Sequence, residues 1–286
     1  MTAPPRRPEP PPSPLRIGRV GNGGPRPILK WAGGKQALAA RLVGRFPSDY
    51  DRYFEPFVGG ASVFLALGPS RAVLCDRNRW LIETYEAVRD DAPRVAAALG
   101  RLPNTREDYL RIRAIDPRRL APVRRAAHFV YLNKTGFRGL FRVNRQGRFN
   151  VPYGAYDRRY FDPANLLRFA ERLQGAEIRC GDFESGLEGV TARDLVYLDP
   201  PYYKLGGYAD FDRYTDSPFR EPDHERLAAL CRTLDGRGVR FVLSQSDTPF
   251  VRGLYAGFRQ ERIAARREIQ LRAARRDQVE LVITNA

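Results

Sequence analysis

Cysteine and long apolar runs are scarce in this chain of 286 residues, which excludes several classes of protein. The three cysteines, Cys75, Cys180 and Cys231, are widely spaced and form no C-x-x-C pair, so neither a disulfide framework nor a zinc cluster is predicted. No run reaches the roughly 18 apolar residues of a membrane span, and the start lacks a signal-peptide core. We therefore expect a cytoplasmic protein with no membrane partner, and we also expect it to be a monomer.

Lysine is also rare, because arginine supplies nearly all of the positive charge behind the formal net charge of +16. A strongly basic surface favours a polyanionic partner, nucleic acid first, although arginine-biased composition accounts for part of the charge. In a chain that otherwise uses arginine, each lysine suggests a specific role at its position. The four lysines, which fall in or beside the motifs below, are Lys30, Lys35, Lys134 and Lys204.

Strand and helix patterns alternate from residue 27 onward, after a Pro-, Gly- and Arg-rich segment (1–26) that is predicted to be a disordered tail. The alternation predicts an α/β fold with a mainly parallel, Rossmann-like sheet covered by helices. QERIAARREIQ and QVELVITN are expected to form an antiparallel pair at the C-terminal edge, joined by a basic loop within 265–277. The other predicted strands are 50–57, 71–76, 176–182, 195–199 and 239–247.

Residues 85–172 interrupt the alternation. Helices are predicted over TREDYLRIRAID and APVRRAAHFVYLN, followed by a β-hairpin around VNRQGRFNV. We interpret 85–172 as a mainly helical insertion into an α/β domain made of 27–84 and 173–286.

Acidic and glycine residues follow the predicted strands, at the edge where open parallel sheets bind their ligands. The first strand runs into FVGG (57–60), where glycine lets the backbone approach a ligand closely. Asp76 follows Gly59 by 17 residues, about the spacing at which an acid accepts hydrogen bonds from a ribose. Asp182 and Asp199 end two further strands. Each alone is explained as a turn or helix cap, whereas together they favour a nucleoside-containing cofactor.

WAGGK (31–35) superficially suggests a phosphate-binding P-loop. The position five before Gly34 is Leu29 instead of glycine, and Gln36 stands where Ser or Thr would hold magnesium. A nucleoside triphosphatase is therefore not predicted.

The stretch LVYLDPPYY (195–203) ends a buried strand with an acid and two prolines. Prolines fix φ and carry no N–H, so their carbonyls act as acceptors beside Asp199, and Tyr202 adds an aromatic face. This combination predicts a site for a planar heterocycle with an exocyclic amine. Two acceptors on the amine hydrogens would return the lone pair to nitrogen for attack on a methyl group, and Asp199 or water would take the proton.

Four motifs resemble those of the Dam-type DNA adenine N6-methyltransferases: KWAGGK (30–35), EPFVGGAS (55–62), DRN (76–78) and DPPY (199–202). The resemblance implies S-adenosylmethionine as the methyl donor and no metal. It also implies catalytic roles for Asp199, Pro200 and Tyr202, and cofactor contacts from Trp31, Lys35, Phe57, Gly59, Asp76, Asp182 and Asp199.

A base inside double-stranded DNA cannot reach Asp199, so the resemblance implies that the target adenine is flipped out. Residues 137–160 interleave arginine with aromatic side chains, which suits phosphate contacts, base reading and insertion into the duplex. Members that methylate GATC carry Asn where this chain has Arg138. Arginine prefers guanine, so the target need not be GATC. The expected DNA contacts are Lys134, Phe137, Arg138, Leu140, Arg142 and Asn144.

Three alternatives remain open from the sequence: an RNA adenine methyltransferase, a protein glutamine methyltransferase and a DNA-binding protein without activity. The second class usually carries Asn in place of Asp199, and the intact DPPY and glycine turn argue against the third. A restriction–modification role and a solitary role also both remain open.

Overall fold

The computed structural model describes residues 24–203, 219–266 and 277–285. Lys204, most of the predicted tail and most of the predicted basic loop lie outside these residues. Within them, seven strands form one sheet in the order β3-β2-β1-β4-β5-β7-β6. The strands are β1 (Tyr53–Glu55), β2 (Ala72–Asp76), β3 (Ala176–Cys180), β4 (Leu195–Leu198), β5 (Arg240–Ser246), β6 (Arg259–Arg266) and β7 (Asp277–Thr284).

Helices cover both faces of this sheet. They are α1 (Ala39–Val43), α2 (Ser62–Leu67), α3 (Arg79–Gly100), α4 (Arg106–Ala114), α5 (Pro122–Thr135), α6 (Pro163–Leu173), α7 (Phe183–Gly186), α8 (Glu221–Gly236) and α9 (Pro249–Leu254), with 3₁₀ turns at Pro117–Arg119 and Phe137–Gly139. No helix of the described residues is long and apolar enough to cross a lipid bilayer.

Strands β3, β2, β1, β4 and β5 are parallel, and β7 pairs antiparallel with both β5 and β6. The chain moves outward from β1 to β3 and then returns to the other side of β1 as β4. Ligands bind beyond the carboxyl ends of strands at such a switch point, here between β1 and β4. The predicted Rossmann-like sheet with an antiparallel C-terminal edge is confirmed.

Strand β4, at the centre of the sheet, is apolar along its whole length because both faces of the sheet are covered. All four residues of β4 are fully buried, and alternate residues enter different cores: Tyr197 lies in one, Val196 and Leu198 in the other. The predicted first strand (50–57) is shortened to β1, since Pro56 cannot donate to the ladder and the glycine turn begins directly after it.

The segment 85–172 contains the predicted helices α4 and α5. Its two ends belong to α3 and α6, which pack on each other and on β3. The predicted hairpin consists of antiparallel bridges at Val143–Phe149 and Gly136–Tyr153. The segment therefore contributes both to the cover of the sheet and to a hairpin whose apolar side chains join the core.

Candidate active site at the carboxyl edge of the sheet

Asp199 follows β4 and forms an ion pair with Lys35, which lies in the loop before α1. The Lys35 ammonium is 2.7 Å from Oδ1 and 2.8 Å from Oδ2 of Asp199, and it also donates to the Gly33 carbonyl at 2.9 Å. Lys35 is only 5% exposed, so the pair is largely shielded from water. The Asp199 carboxylate thus accepts hydrogen bonds from a nitrogen donor, which is the role that the sequence predicts for it.

The Tyr202 ring forms one wall of this acceptor. The Lys35 ammonium lies 4.6 Å from the ring centroid, and the Tyr202 hydroxyl donates to Oε2 of Glu280 at 2.8 Å. Burial raises the pKa of Tyr202 well above its usual value, so the ring carries a neutral phenol. Pro200 is buried, and the two prolines keep this segment stiff.

Gly59, Asp76 and Trp31 meet at the neighbouring strand ends. Asp76 accepts the N–H of Gly59 at 3.0 Å and that of Asn78 at 2.8 Å. Burial raises the pKa of the Asp76 carboxyl to about 6, against the effect of the two N–H donors. Gly59 has φ +43, and a Cβ there would lie 2.7 Å from Cδ1 of Trp31, so only glycine allows the indole to approach.

Asp182 and Phe57 form a second corner of the same edge. Phe57 stacks on Phe183 with ring centroids 5.5 Å apart, and the Arg226 guanidinium lies 4.5 Å from the Phe183 ring centroid. Arg226 also donates to both oxygens of Asp182 at 2.9 Å. This corner therefore combines an aromatic surface with the Asp182 carboxylate, and Arg226 is the hydrogen-bond donor to that carboxylate. Arg226 was not predicted, because it lies in α8 with no motif around it.

A buried polar layer lies beneath Asp199 and was also missed. Tyr53 donates to Glu55 at 2.9 Å, and the Tyr197 hydroxyl is 3.0 Å from Oγ of Ser244. Glu55 is 3% exposed; desolvation and the nearby Asp199 raise its pKa well above the usual range. Glu55 ends β1 within EPFVGG, so the rule that selected Asp199 would have selected it. Glu280, 4% exposed, lies in β7 between Val279 and Leu281, and this position between apolar neighbours is the signal that could have identified it.

The predicted DNA contacts lie on this hairpin and beside it. Phe137 is 43% exposed, and the Arg138 guanidinium lies 5.3 Å from its ring centroid. Arg138 has φ +57, and its N–H donates to the Tyr156 hydroxyl at 2.7 Å. Leu140 is half-buried against the core. These positions place an exposed aromatic ring and a guanidinium side by side.

Two further hairpin residues already have partners within the hairpin. Arg142 donates from Nε to Oδ1 of Asn150 at 2.7 Å. The Asn144 side chain accepts the N–H groups of Gln146 and Arg148, both at 3.0 Å, and so stabilises the turn. Asn144 therefore has a structural role besides its predicted one.

Lys134 lies at the end of α5 in a cluster of cations. Burial and the charges of Lys30, Arg158 and Arg26, in that order, lower its pKa to about 8. The Lys30 ammonium lies 5.2 Å from the Tyr156 ring centroid. Such mutual repulsion is relieved by an anion, which makes the cluster suited to a phosphate group.

A basic cavity of about 450 Å³ opens between the start of α3 and the hairpin. Its lining does not include Asp199, Lys35 or Tyr202, so it is separate from the acceptor. Among the described residues, no group of three or more His, Cys, Asp or Glu side chains is arranged to hold a metal ion. The arginines that line the cavity are Arg77, Arg79, Arg118, Arg125 and Arg148.

The sheet order, the glycine turn and the acidic carboxyl edge define a Rossmann-like methyltransferase. The chain belongs to the family of D12 class N6 adenine-specific DNA methyltransferases, whose family model matches residues 31–269. It is therefore an adenine-specific DNA methyltransferase, as predicted, and membership of this family implies the use of S-adenosylmethionine.

Similar curated proteins match along nearly their whole length. The Type II methyltransferase M1.LlaDCHI of Lactococcus lactis subsp. cremoris is 34% identical over 91% of this chain and 95% of its own. The Type II methyltransferase M.MjaIII of Methanocaldococcus jannaschii is 35% identical over 91% and 99%. The DNA adenine methylase of Escherichia coli K12 is 34% identical over 89% and 93%.

Proposed function

We propose that this enzyme transfers the methyl group of S-adenosylmethionine to N6 of an adenine flipped out of double-stranded DNA, and that Asp199, Pro200 and Tyr202 bind the flipped base. The Lys35–Asp199 contact carries the proposal. An ammonium 2.7 Å from Oδ1 and above the Tyr202 ring has the position and donor chemistry expected of an adenine amino group. Stacking on Tyr202 and phosphate contacts would offset the few kcal/mol that flipping costs.

The Asp199 carboxylate and the Pro200 carbonyl accept the two hydrogens of the amine. This arrangement draws the nitrogen toward sp³ geometry and directs its lone pair at the methyl group, so the N–C bond forms as the C–S bond breaks. The amine then carries a positive charge until it loses one proton, which Asp199 accepts or passes to water. Burial, together with the charge of Asp199, raises the pKa of nearby Glu55 well above its usual range, which opposes a second negative charge in the pocket.

Residues along the same edge fit S-adenosylmethionine, which supplies an electrophilic methyl group when bound. Asp76 suits the ribose hydroxyls, and the Trp31 indole, which packs on Gly59, suits a contact with the cofactor beside it. Asp182 and Phe57 suit the adenine of the cofactor, provided that Arg226 releases Asp182.

Lys35 suits the cofactor carboxylate. Since the same ammonium holds Asp199 in the free enzyme, its transfer to the cofactor would open the acceptor for the target base. Cofactor binding is therefore expected to precede productive binding of the adenine.

The segment 85–172 is proposed to recognise the DNA. Phe137 is exposed enough to enter the duplex, supported by Leu140, while Arg138 and Arg142 contact base edges in the major groove. Lys134 and Asn144 are assigned to the phosphate backbone. Arginine at position 138 favours guanine, so the recognition sequence is expected to differ from GATC.

Similarity to the two type II methyltransferases extends the proposal to modification within a restriction–modification system in the cytoplasm. The test of that role is protection: DNA from cells that express this chain should resist one sequence-specific endonuclease. Sequencing N6-methyladenine in the same DNA would give the recognition site.

A transfer assay tests the reaction itself. The protein is incubated at low salt with labelled S-adenosylmethionine and duplex DNA, RNA or a protein extract. We expect label in DNA alone, and label at N6 of adenine after digestion to nucleosides. Label in RNA or protein but not DNA would overturn the proposal.

A further inference from the structure

The hydrogen bond between Tyr202 and Glu280 joins the DPPY motif to a strand near the other end of the chain. We propose that Glu280 is a positioning residue, which fixes the Tyr202 ring as the surface on which the target base stacks. This inference rests on the proposed function, because it assigns Tyr202 to the flipped adenine. The contact that carries it is the 2.8 Å bond from the Tyr202 hydroxyl to Oε2 of Glu280.

The sheet places Glu280 rigidly beneath the site. It lies in β7, between β5 and β6, in register with Ser246 on one side and Ile263 on the other. Ladder hydrogen bonds on both sides hold the backbone of β7 in place. The position of Glu280 is thus fixed. It can hold the Tyr202 side chain, which follows the stiff Pro200–Pro201 segment, through a hydrogen bond.

Burial of a carboxylate at this position lowers the stability of the fold, so packing does not explain why Glu280 is there. Glu280 is 4% exposed, and Leu281, Val282 and Ile283 after it are all buried apolar residues. Removing a carboxylate from water costs several kcal/mol, and packing alone would be satisfied by an apolar side chain of similar volume. Its phenolic partner is kept neutral by the raised pKa of Tyr202 and therefore remains a donor at all ordinary pH values.

The ring needs this attachment most when the cofactor is bound. In the free enzyme the Lys35 ammonium covers the ring at 4.6 Å, but Lys35 is proposed to move to the cofactor carboxylate. The hydroxyl bond to Glu280 does not depend on Lys35 and so persists through that step. A ring that drifts by about 1 Å would misplace the stacked amine enough to slow the reaction about 100-fold.

A double-mutant cycle tests the proposal in the full-length enzyme. Tyr202→Phe removes the hydroxyl, and Glu280→Leu removes the acceptor. Each change is expected to lower the single-turnover rate of methyl transfer by about 10-fold to 100-fold, and the double variant should lose no more than either single variant. Independent, multiplying losses would overturn the proposal.

Two further readouts separate positioning from loss of stability. Glu280→Gln keeps an acceptor oxygen and should recover most of the rate, whereas Glu280→Leu should not. DNA with 2-aminopurine at the target position reports stacking, and its fluorescence should be less quenched in Tyr202→Phe and Glu280→Leu than in the parent enzyme. Cofactor affinity should be unchanged in all three variants.

The neighbouring Tyr203–Glu221 pair offers a matched control. The Tyr203 hydroxyl donates to Oε1 of Glu221 at 2.7 Å, but Glu221 is exposed on α8. Tyr203→Phe and Glu221→Leu should leave the transfer rate and the 2-aminopurine signal unchanged. If the parent enzyme methylates DNA and Glu280→Leu is equally fast, the role of Glu280 is refuted; if the parent enzyme does not methylate DNA, the proposed function itself fails.

Discussion

Lys35 and Asp199 lie 164 positions apart in the chain, yet the lysine ammonium is 2.8 Å from one carboxylate oxygen and 2.7 Å from the other. The pair joins KWAGGK to DPPY across the switch point of the sheet. It neutralises a carboxylate that would otherwise stand beside Glu55 in a poorly solvated layer. The free enzyme is thereby stabilised with its amine acceptor occupied.

Asp199→Ala is expected to abolish methyl transfer while DNA binding remains nearly intact, because the hairpin does not depend on the carboxylate. The change also leaves the buried Lys35 ammonium without its counter-ion, which should lower the free energy of unfolding by about 3 kcal/mol. Urea denaturation measures this loss, and adding Lys35→Met should recover stability without activity. Retained turnover would refute the role of Asp199, and unchanged stability would refute the importance of the ion pair.

Cofactor binding is expected to weaken below about pH 6. Burial raises the pKa of Asp76 to about 6, so the folded enzyme holds this proton more tightly than the unfolded chain. The group therefore adds stability below its unfolded pKa, and that contribution is lost as the pH rises through about 6. The ionised Asp76 carboxylate, by contrast, predominates above this pH and is the better acceptor of hydrogen bonds from the ribose hydroxyls.

Titration of cofactor affinity between pH 5 and 8 checks this expectation. Affinity should level off above about pH 7 and fall toward tenfold per pH unit well below pH 6. Asp76→Asn should bind more weakly at pH 7.5 and lose most of the pH dependence. A parent enzyme whose affinity is flat from pH 5 to 8 would contradict the assignment of Asp76.

The sequence predicted the contiguous parts of the site because a local motif carries its own geometry. DPPY sets an acid, a stiff turn and a ring in four positions, and each predicted acid lies at the end of a strand or within two residues after it. The contacts between distant residues could not be predicted from the sequence, because they depend on which strands become neighbours in the sheet. Glu280 reaches Tyr202 only because β7 inserts beside β5, and Arg226 reaches Asp182 only through the packing of α8. The pairing of Lys35 with Asp199 was missed for the same reason.

Arg138→Asn is expected to shift base preference at one position of the recognition site from guanine toward adenine, because an amide pairs with adenine N6 and N7. Folding should not suffer. Arg138 has φ +57, a conformation that asparagine adopts more readily than arginine. Methylation of a duplex library with one randomised position at a time measures the shift. A variant with unchanged preference would show that Arg138 does not read a base.

Arg142→Ala is expected to remove discrimination at a single base pair, by about 1–3 kcal/mol. Asn150 holds this guanidinium through Oδ1 at 2.7 Å and its carbonyl at 3.1 Å, so little rotamer freedom is lost when it meets a base. Asn150→Ala should accordingly weaken the same discrimination partially.

Arg145, exposed in the turn of the same hairpin, provides the matched control for Arg142. Arg145→Ala should weaken binding about equally for all sequences and reduce its salt dependence, as expected for a phosphate contact. Affinities for the cognate duplex and for each single-base variant, measured at several salt concentrations, distinguish the two effects. A uniform loss for Arg142→Ala, parallel to that of Arg145→Ala, would assign Arg142 to the backbone and leave base reading to Arg138.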